Sequence, residues 1–321
     1  MIPVAERVEQ YLFRREALGT GLSPSPVHEL RRFAAFADDA GARHVTTELF
    51  LDWKTRRPGV ASRQTWFYRL SHVRTFARWL QSLEPGTEVP PQGLIPRGRN
   101  RPRPYIYTDD EIAEVVAGAA RLPSPRGVRG PTYATLFGLL AVTGLRVGET
   151  LALDDDDIDT SEAVVHVRHA KNGRNRILPI ARCTADRLAE YRSLRDRVLH
   201  VIDTPAFFVG ERGQRVRIAT AENNFAWVSQ EVGLREPRPS GRRGTGPRLH
   251  DLRHTMAVRT LIGWYRSGVE PDREMYKLST WLGHASPAET YWYLEAVPEL
   301  LDLATQRAER VVAQGGRHGE R

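Results

Sequence analysis

The stretch Leu94-Ile95-Pro96-Arg97-Gly98-Arg99-Asn100-Arg101-Pro102-Arg103-Pro104 sets arginine at every second position from Arg97 to Arg103 and contains no acid. Proline removes the backbone donor that a helix interior needs, and repeated prolines bias a chain toward extended structure. Such a segment cannot enter a helical core, so it divides the 321 residues into two blocks. That length is also too great for one ordinary core and suits two domains. The expected organisation is a helical domain over 1–93, a basic Pro/Arg linker over 94–107, a second domain over 108–313 and a disordered tail over 314–321. A basic extended linker is how a clamp would close around a polyanion, although a plain tether has the same composition.

Lys and Arg number 47 against 39 Asp and Glu, a formal charge of +8. With 27% charged and 40% hydrophobic residues the chain is expected to be globular. The charge balance favours nucleic acid as partner, with an anionic membrane surface second. The longest nearly apolar stretch, Tyr133 to Leu145, is interrupted by Gly138 and Gly144 and is too short to cross a bilayer. The first residues show no apolar core of a secretory signal, so a cytoplasmic protein is expected. The single cysteine, Cys183, excludes an internal disulfide framework and a multi-cysteine zinc site, and reads as a small buried hydrophobe in a reducing compartment.

The first block reads as four helices: Val4 to Ala17, one opening with Ser25 and Pro26 and stopping near Gly41, one from Thr46 or Thr47 toward Arg57, and one from Ser62. The fourth carries Trp66, Leu70, Val73, Ala77 and Leu80 at helical spacing, with Arg63, Arg69, Arg74 and Arg78 on its other faces. Those arginines are either a solvated face or a surface that follows phosphates. In the second block Thr108 caps a helix that starts Asp109-Asp110-Glu111. Asn172-Gly173 between β-rich runs at Ala163 to Arg168 and Arg176 to Ile180 signals a hairpin. The pattern is helical again from Thr184, apart from a basic loop over 235–248 that includes Arg242 and Arg243.

Four segments carry candidate chemistry. In Thr143-Gly144-Leu145-Arg146-Val147-Gly148-Glu149, Gly144 ends one helix and Arg146 falls in the first turn of the next, where a guanidinium and free N–H groups suit an oxyanion. Lys171 sits at the hairpin tip and is one of only three lysines beside 44 arginines. A chain so biased keeps lysine where guanidinium cannot serve, and proton donation is such a task. In Arg248-Leu249-His250-Asp251-Leu252-Arg253-His254, His250 and Arg253 share a helix face. His250 and His254 also have the spacing of two metal ligands, without the glutamate of an HExxH pattern. In Leu282-Gly283-His284 and Thr290-Tyr291-Trp292-Tyr293, the two tyrosines point about 200° apart on a helix.

In this order, Arg146, Lys171, His250-x-x-Arg253, His284 and Tyr293 resemble the tyrosine recombinase (phage-type integrase) family, from about Thr108 onward. The ending, Tyr291-Trp292-Tyr293-Leu294 with Pro298-Glu299-Leu300-Leu301, resembles recombinases of bacterial mobile elements. The resemblance implies a mainly α fold with a small antiparallel β-sheet (α+β): an all-α core-binding domain and a catalytic domain forming a C-shaped clamp. One departure is a longer stretch between Arg253 and His284, placed near Gly263 to Lys277.

The implied reaction is transesterification. Tyr293 attacks a DNA phosphodiester, leaves a 3′-phosphotyrosyl link, and a second strand's 5′-hydroxyl reverses the step. Arg146 and Arg253 would grip the non-bridging oxygens, His284 would hydrogen-bond one of them, Lys171 would protonate the leaving oxygen, and His250 would assist proton removal from Tyr293. Glu149 would orient a neighbour. Neither metal nor ATP nor any other cofactor is implied. The implied partners are double-stranded DNA with paired sites, a homotetramer joined through the helix from Pro298 to Ala313, whose apolar stripe serves equally for packing within its own chain, and sister recombinases or accessory proteins, in association with a bacterial nucleoid. Candidate DNA contacts are Arg63, Arg69, Arg74, Arg78, Arg97, Arg99, Arg101, Arg103, Arg242 and Arg243. Beside this stand a DNA-binding protein of the same fold without catalysis and a type IB topoisomerase, which shares the chemistry.

Overall fold

Helix signals and hydrophobic stripes recur along nearly the whole chain, and the architecture follows them. The structure, a computed structural model, describes residues 2–56, 61–98, 103–168, 175–236, 246–284, 286 and 288–315, without the side chains of 288, 295, 296, 308 and 310–315. Two compact units are present, Met1–Pro102 and Arg103–Arg321.

The first unit holds α1 (Val4–Ala17), α2 (Pro24–Asp39), α3 (Thr47–Arg56) and α4 (Arg63–Gln81). The second helix starts two residues earlier than expected, with Ser23 and Pro24 in the roles read for Ser25 and Pro26. Ser62 caps α4 by accepting from the Thr65 backbone N–H. Phe33, Phe50, Trp53 and Trp66 pack edge to face at the centre, Trp53 and Trp66 at 5.3 Å and 84°. Ile95, read as linker, is buried in this core.

Arg69 corrects the reading of α4's outer faces. Its side chain is buried, forms two hydrogen bonds to the Glu29 carboxylate at 2.9 and 3.2 Å, and lies 4.5 Å from the Trp66 ring centroid. Its burial comes from α2 packing across it, which helical periodicity within α4 does not encode. Arg63 and Arg78 are exposed and Arg74 is half-buried. Arg74 is shifted below the usual arginine range by burial and then by the neighbouring Arg78 charge.

The second unit opens with Tyr107, whose ring enters the core and whose N–H donates to Thr255 Oγ1 at 3.0 Å. Thr108 and Glu111 form a reciprocal capping box on α5 (Asp109–Ala120). Then come α6 (Arg129–Thr143), α7 (Val147–Ala152) and a 3-10 turn at Asp155–Asp157. A three-stranded antiparallel sheet follows in the order β1 (Ile158–Asp159), β2 (Val164–Val167) and β3 (Arg176–Pro179). Val165 pairs with Leu178 on the buried face. The two-residue strand β1 has too little sequence to show alternation and was not expected. The Asn172-Gly173 turn lies outside the described residues.

Five further helices are α8 (Arg182–Val198), α9 (Ile218–Glu231), α10 (Asp251–Ser267), α11 (Pro271–Leu282) and α12 (Ala288–Ala296), and α13 (Pro298–Gly315) ends the described chain. Cys183 is exposed on the first turn of α8, not buried. Across Gly263 to Lys277, where the longer stretch is expected, the chain is helical: α10 runs on to Ser267, turns at left-handed Gly268 (φ 76°) and returns as α11. Arg266 pairs with Glu299 at 2.8 Å and Arg307 donates to the Val269 carbonyl at 2.9 Å, which ties this turn to α13. On α13, Leu300 packs within this chain's own core whereas Leu301 is exposed. The helix also covers residues 314–315, assigned from composition to a disordered tail. No helix among the described residues is long and apolar enough to cross a membrane.

The environment of Arg69 yields a stability prediction. Arg69→Ala removes both hydrogen bonds to Glu29 and the packing on Trp66 and should cost about 3 kcal/mol, whereas Arg63→Ala on the exposed face should stay within about 0.5 kcal/mol of the parent. Urea denaturation of full-length protein, followed by tryptophan fluorescence, measures both; equal effects would contradict the buried role.

Candidate active site

Two glycine turns bring the site together. Gly144 closes α6 in the left-handed region at φ 63°, and Gly283 closes α11 there at φ 64°. The positive φ favours glycine at 283, and a Cβ there would also stand 2.8 Å from Arg176 Nη1 and displace that guanidinium. Between them the turns present four backbone carbonyls: Gly144, Trp281, Leu282 and Gly283.

Three guanidiniums take those carbonyls. Arg253, on α10 and 2% exposed, donates to the Gly144 and Leu282 oxygens, both at 2.7 Å. Arg146 donates to the Gly283 oxygen at 3.0 Å and to the Leu282 oxygen at 3.4 Å. Arg176, the first residue of β3, donates through Nε to the Trp281 oxygen at 2.8 Å. The last three carbonyls belong to the end of α11, where the helix dipole is negative and favours cations.

Glu149 is the carboxylate of this cluster. It accepts from Arg146 Nη1 and Arg176 Nη2, each at 2.8 Å, and from the Arg146 backbone N–H at 3.2 Å. Burial pushes the Glu149 carboxyl upward, but Arg176 and Arg146 together outweigh it and hold the group below its ordinary value. Arg253 is pushed down to about 10, first by burial and then by the charge of Arg146, with Arg176 acting in the same direction against Tyr293 and Glu149. Three guanidiniums and one carboxylate leave two formal positive charges uncompensated within the cluster. A partly buried centre with that imbalance favours an anion, and paired guanidiniums suit a phosphate group.

The expected site residues fall into place differently. Arg146 is the N-cap of α7, one residue before its first turn, and its backbone N–H is taken by Glu149. His250 is the exposed N-cap of α10, beside rather than within the helix that carries Arg253. His284 follows the Gly283 turn, is buried, and has Nδ1 2.7 Å from Thr290 Oγ1. Tyr293 is 2% exposed and stacks near His284, with ring centroids 6.4 Å apart, whereas Tyr291 is 40% exposed with its hydroxyl 3.3 Å from Asp272. Lys171, Arg99, Arg101, Arg242 and Arg243 lie outside the described residues; Arg97 and Arg103 are exposed.

Two residues escaped the sequence reading. Arg176 had no contrast among 44 arginines, and only its place at the foot of the hairpin set it apart. His254 was weighed only as a metal ligand with His250. Its Nδ1 instead lies 3.1 Å from the Tyr293 hydroxyl, and its ring meets that of His250 edge-on at 4.7 Å. Among the described residues no group of three or more His, Cys, Asp or Glu is placed to hold a metal.

Comparison with known proteins fits this geometry. The model of the phage integrase family matches residues 108–299. A Sinorhizobium fredii protein that carries the name integrase/recombinase y4rB is 37% identical over 95% of this chain and 96% of its own length. Tyrosine recombinase XerC of Mycobacterium tuberculosis is 27% identical over 96% and 99%. Among solved structures, the Tn1549 transposon integrase, in complex with transposon right end DNA, shares the fold at a TM-score of 0.67 and 14% identity, covering 97% of this chain and 100% of that one. The chain belongs to the phage integrase family of tyrosine recombinases.

The charge cluster makes a pH prediction. The Glu149 carboxyl is depressed in the folded state, so its stabilisation is full above the unfolded value near 4.5 and fades as pH falls through the lower folded value. Glu149→Gln should therefore cost about 3 kcal/mol at pH 7, and the deficit should shrink as the parent is acidified below pH 4.5. Urea melts at several pH values test this, and a deficit independent of pH would contradict it.

Proposed function

We propose that this protein is a site-specific DNA recombinase that cuts and rejoins strands through a 3′-phosphotyrosyl intermediate on Tyr293. The observation that carries the reading is the excess of positive charge around the end of α11, next to a buried tyrosine hydroxyl. Attack on a phosphodiester gathers negative charge on the non-bridging oxygens, and prepositioned guanidiniums stabilise it without reorganising.

Arg146 and Arg253 hold the scissile phosphate, and each contributes roughly 3 kcal/mol to the transition state. His284, steadied by Thr290, hydrogen-bonds a non-bridging oxygen. Lys171 delivers a proton to the leaving 5′-oxygen, and His250 assists deprotonation of Tyr293, whose ordinary value near 10 makes it a poor nucleophile at neutral pH. Glu149 keeps Arg146 in place. The reaction uses neither metal nor ATP, because the bond energy is stored in the phosphotyrosyl link and the arginines supply the charge. Exposed Arg63, Arg78, Arg97 and Arg103, with Arg74, contact the DNA backbone. The active form is a homotetramer on paired sites, joined through the outward face of α13 that carries exposed Leu301, and it acts in the cytoplasm of a bacterium on integration, excision or transposition of a mobile element. The names of the S. fredii relative and of the transposon integrase support that setting.

Incubation with a suicide substrate nicked beside the cleavage site, in EDTA, tests the reading. The native site is to be sought in DNA flanking the gene. A covalent adduct on a denaturing gel is expected from wild type and from Tyr291→Phe but not from Tyr293→Phe. An adduct that survives Tyr293→Phe, or no adduct on DNA that the protein binds, would contradict it.

A further inference from the structure

We propose that His254 positions the nucleophile, fixing the direction of the Tyr293 hydroxyl; the inference rests on the reading of Tyr293 as the attacking group. Tyr293 is 2% exposed, and its ring is enclosed by His254 at 5.5 Å, Trp292 at 5.4 Å and His284 at 6.4 Å. Close packing of this kind locks the side-chain rotamer, because any other would drive the ring into its neighbours. Rotation about the C–O bond then remains, and it decides where the hydroxyl proton and the oxygen lone pairs point.

The 3.1 Å contact between His254 Nδ1 and Tyr293 Oη bears directly on that rotation, and the tautomer of His254 decides which group donates. When the hydroxyl donates to Nδ1, this contact uses neither lone pair of Oη; when Nδ1–H donates to Oη, it uses one. Attack needs a free lone pair aimed in line at phosphorus from about 3–3.5 Å. The productive arrangement is therefore the one in which Tyr293 donates to Nδ1 and Nε2 of His254 carries the ring proton; the hydroxyl proton then leaves toward His254, whose ring meets that of His250, the group proposed to assist its removal.

Helix α10 makes this more than a local contact. Arg253, which binds the Gly144 and Leu282 carbonyls, and His254 are consecutive on it, so one rigid backbone references both the proposed phosphate grip and the nucleophile. His254 is itself buried, and its ring is braced by His250 at 4.7 Å and Trp292 at 5.6 Å. This assigns orientation of the hydroxyl to a buried residue on α10, one helical turn beyond the exposed His250.

Full-length variants on the suicide substrate provide the test. His254→Phe keeps the ring volume but has no nitrogen, and His254→Asn restores an acceptor near the position of Nδ1. The phenylalanine variant should form adduct about tenfold more slowly or worse in single turnover, while binding the same DNA within about twofold. The asparagine variant should recover to within about threefold of wild type. Wild-type speed in the phenylalanine variant, or an asparagine variant no better than it, overturns the proposal. A second measurement leaves His254 untouched: in long-range 1H–15N spectra, Tyr293→Phe should move the His254 Nδ1 resonance, and an unmoved resonance also overturns the proposal. Failure of the recombinase reading looks different, since wild type itself then forms no adduct or Tyr293→Phe still forms one.

Discussion

Everything proposed for this molecule depends on the hydrogen bonds between three arginines and the carbonyls at the end of α11. Arg176, Arg253 and Arg146 bind the oxygens of Trp281, Leu282 and Gly283, and thereby join β3, α10 and the α6–α7 turn to one helix terminus. Like charges crowded at partial burial repel one another, and the shift of Arg253 down to about 10 registers that cost along with burial. The negative end of a helix, three directed carbonyls and one shared carboxylate offset it. Complete neutralisation would have made an inert structural knot. The surplus of positive charge leaves a centre that gains further stability from an anion.

The same contacts position groups that carry no charge. The Gly283 turn fixes where His284 begins, and Thr290 on α12 holds its ring, which stacks near that of Tyr293. Arg253 brings His254 with it on α10. A shift of the α11 terminus would disturb the proposed phosphate grip and the proposed nucleophile together. That coupling gives a physical reason for the glycines at 144 and 283, where the backbone is left-handed and the added Cβ would press on Met256 or on Arg176.

Local signals were the legible ones. Ser62, Thr108 with Glu111, Gly144 and Gly283 mark helix ends through chemistry contained within a few residues, and the sequence placed those ends well. The preference for Tyr293 over Tyr291 rests on the family resemblance rather than on a local signal, and the two differ in burial, at 2% and 40% exposed. What escaped was tertiary. Arg69 looks like a surface residue until Glu29 arrives from another helix, and Cys183 looks like core until α8 turns it outward. Arg176 and His254 acquire meaning only through partners more than 25 residues away in the chain, Glu149 and Tyr293. Spacing alone made His254 half of a metal pair.

The central claim is that Arg253 and its neighbours work by compensating phosphate charge. Substitution of a neutral methylphosphonate at the scissile position tests it directly, by comparing single-turnover cleavage for wild type and Arg253→Ala on charged and neutral DNA. On ordinary phosphate the variant should be slower by about 10²–10³-fold. On methylphosphonate, with the charge already removed, that penalty should fall to about tenfold or less. An equal penalty on both substrates would show that Arg253 acts on shape or folding rather than on charge, and would contradict the account.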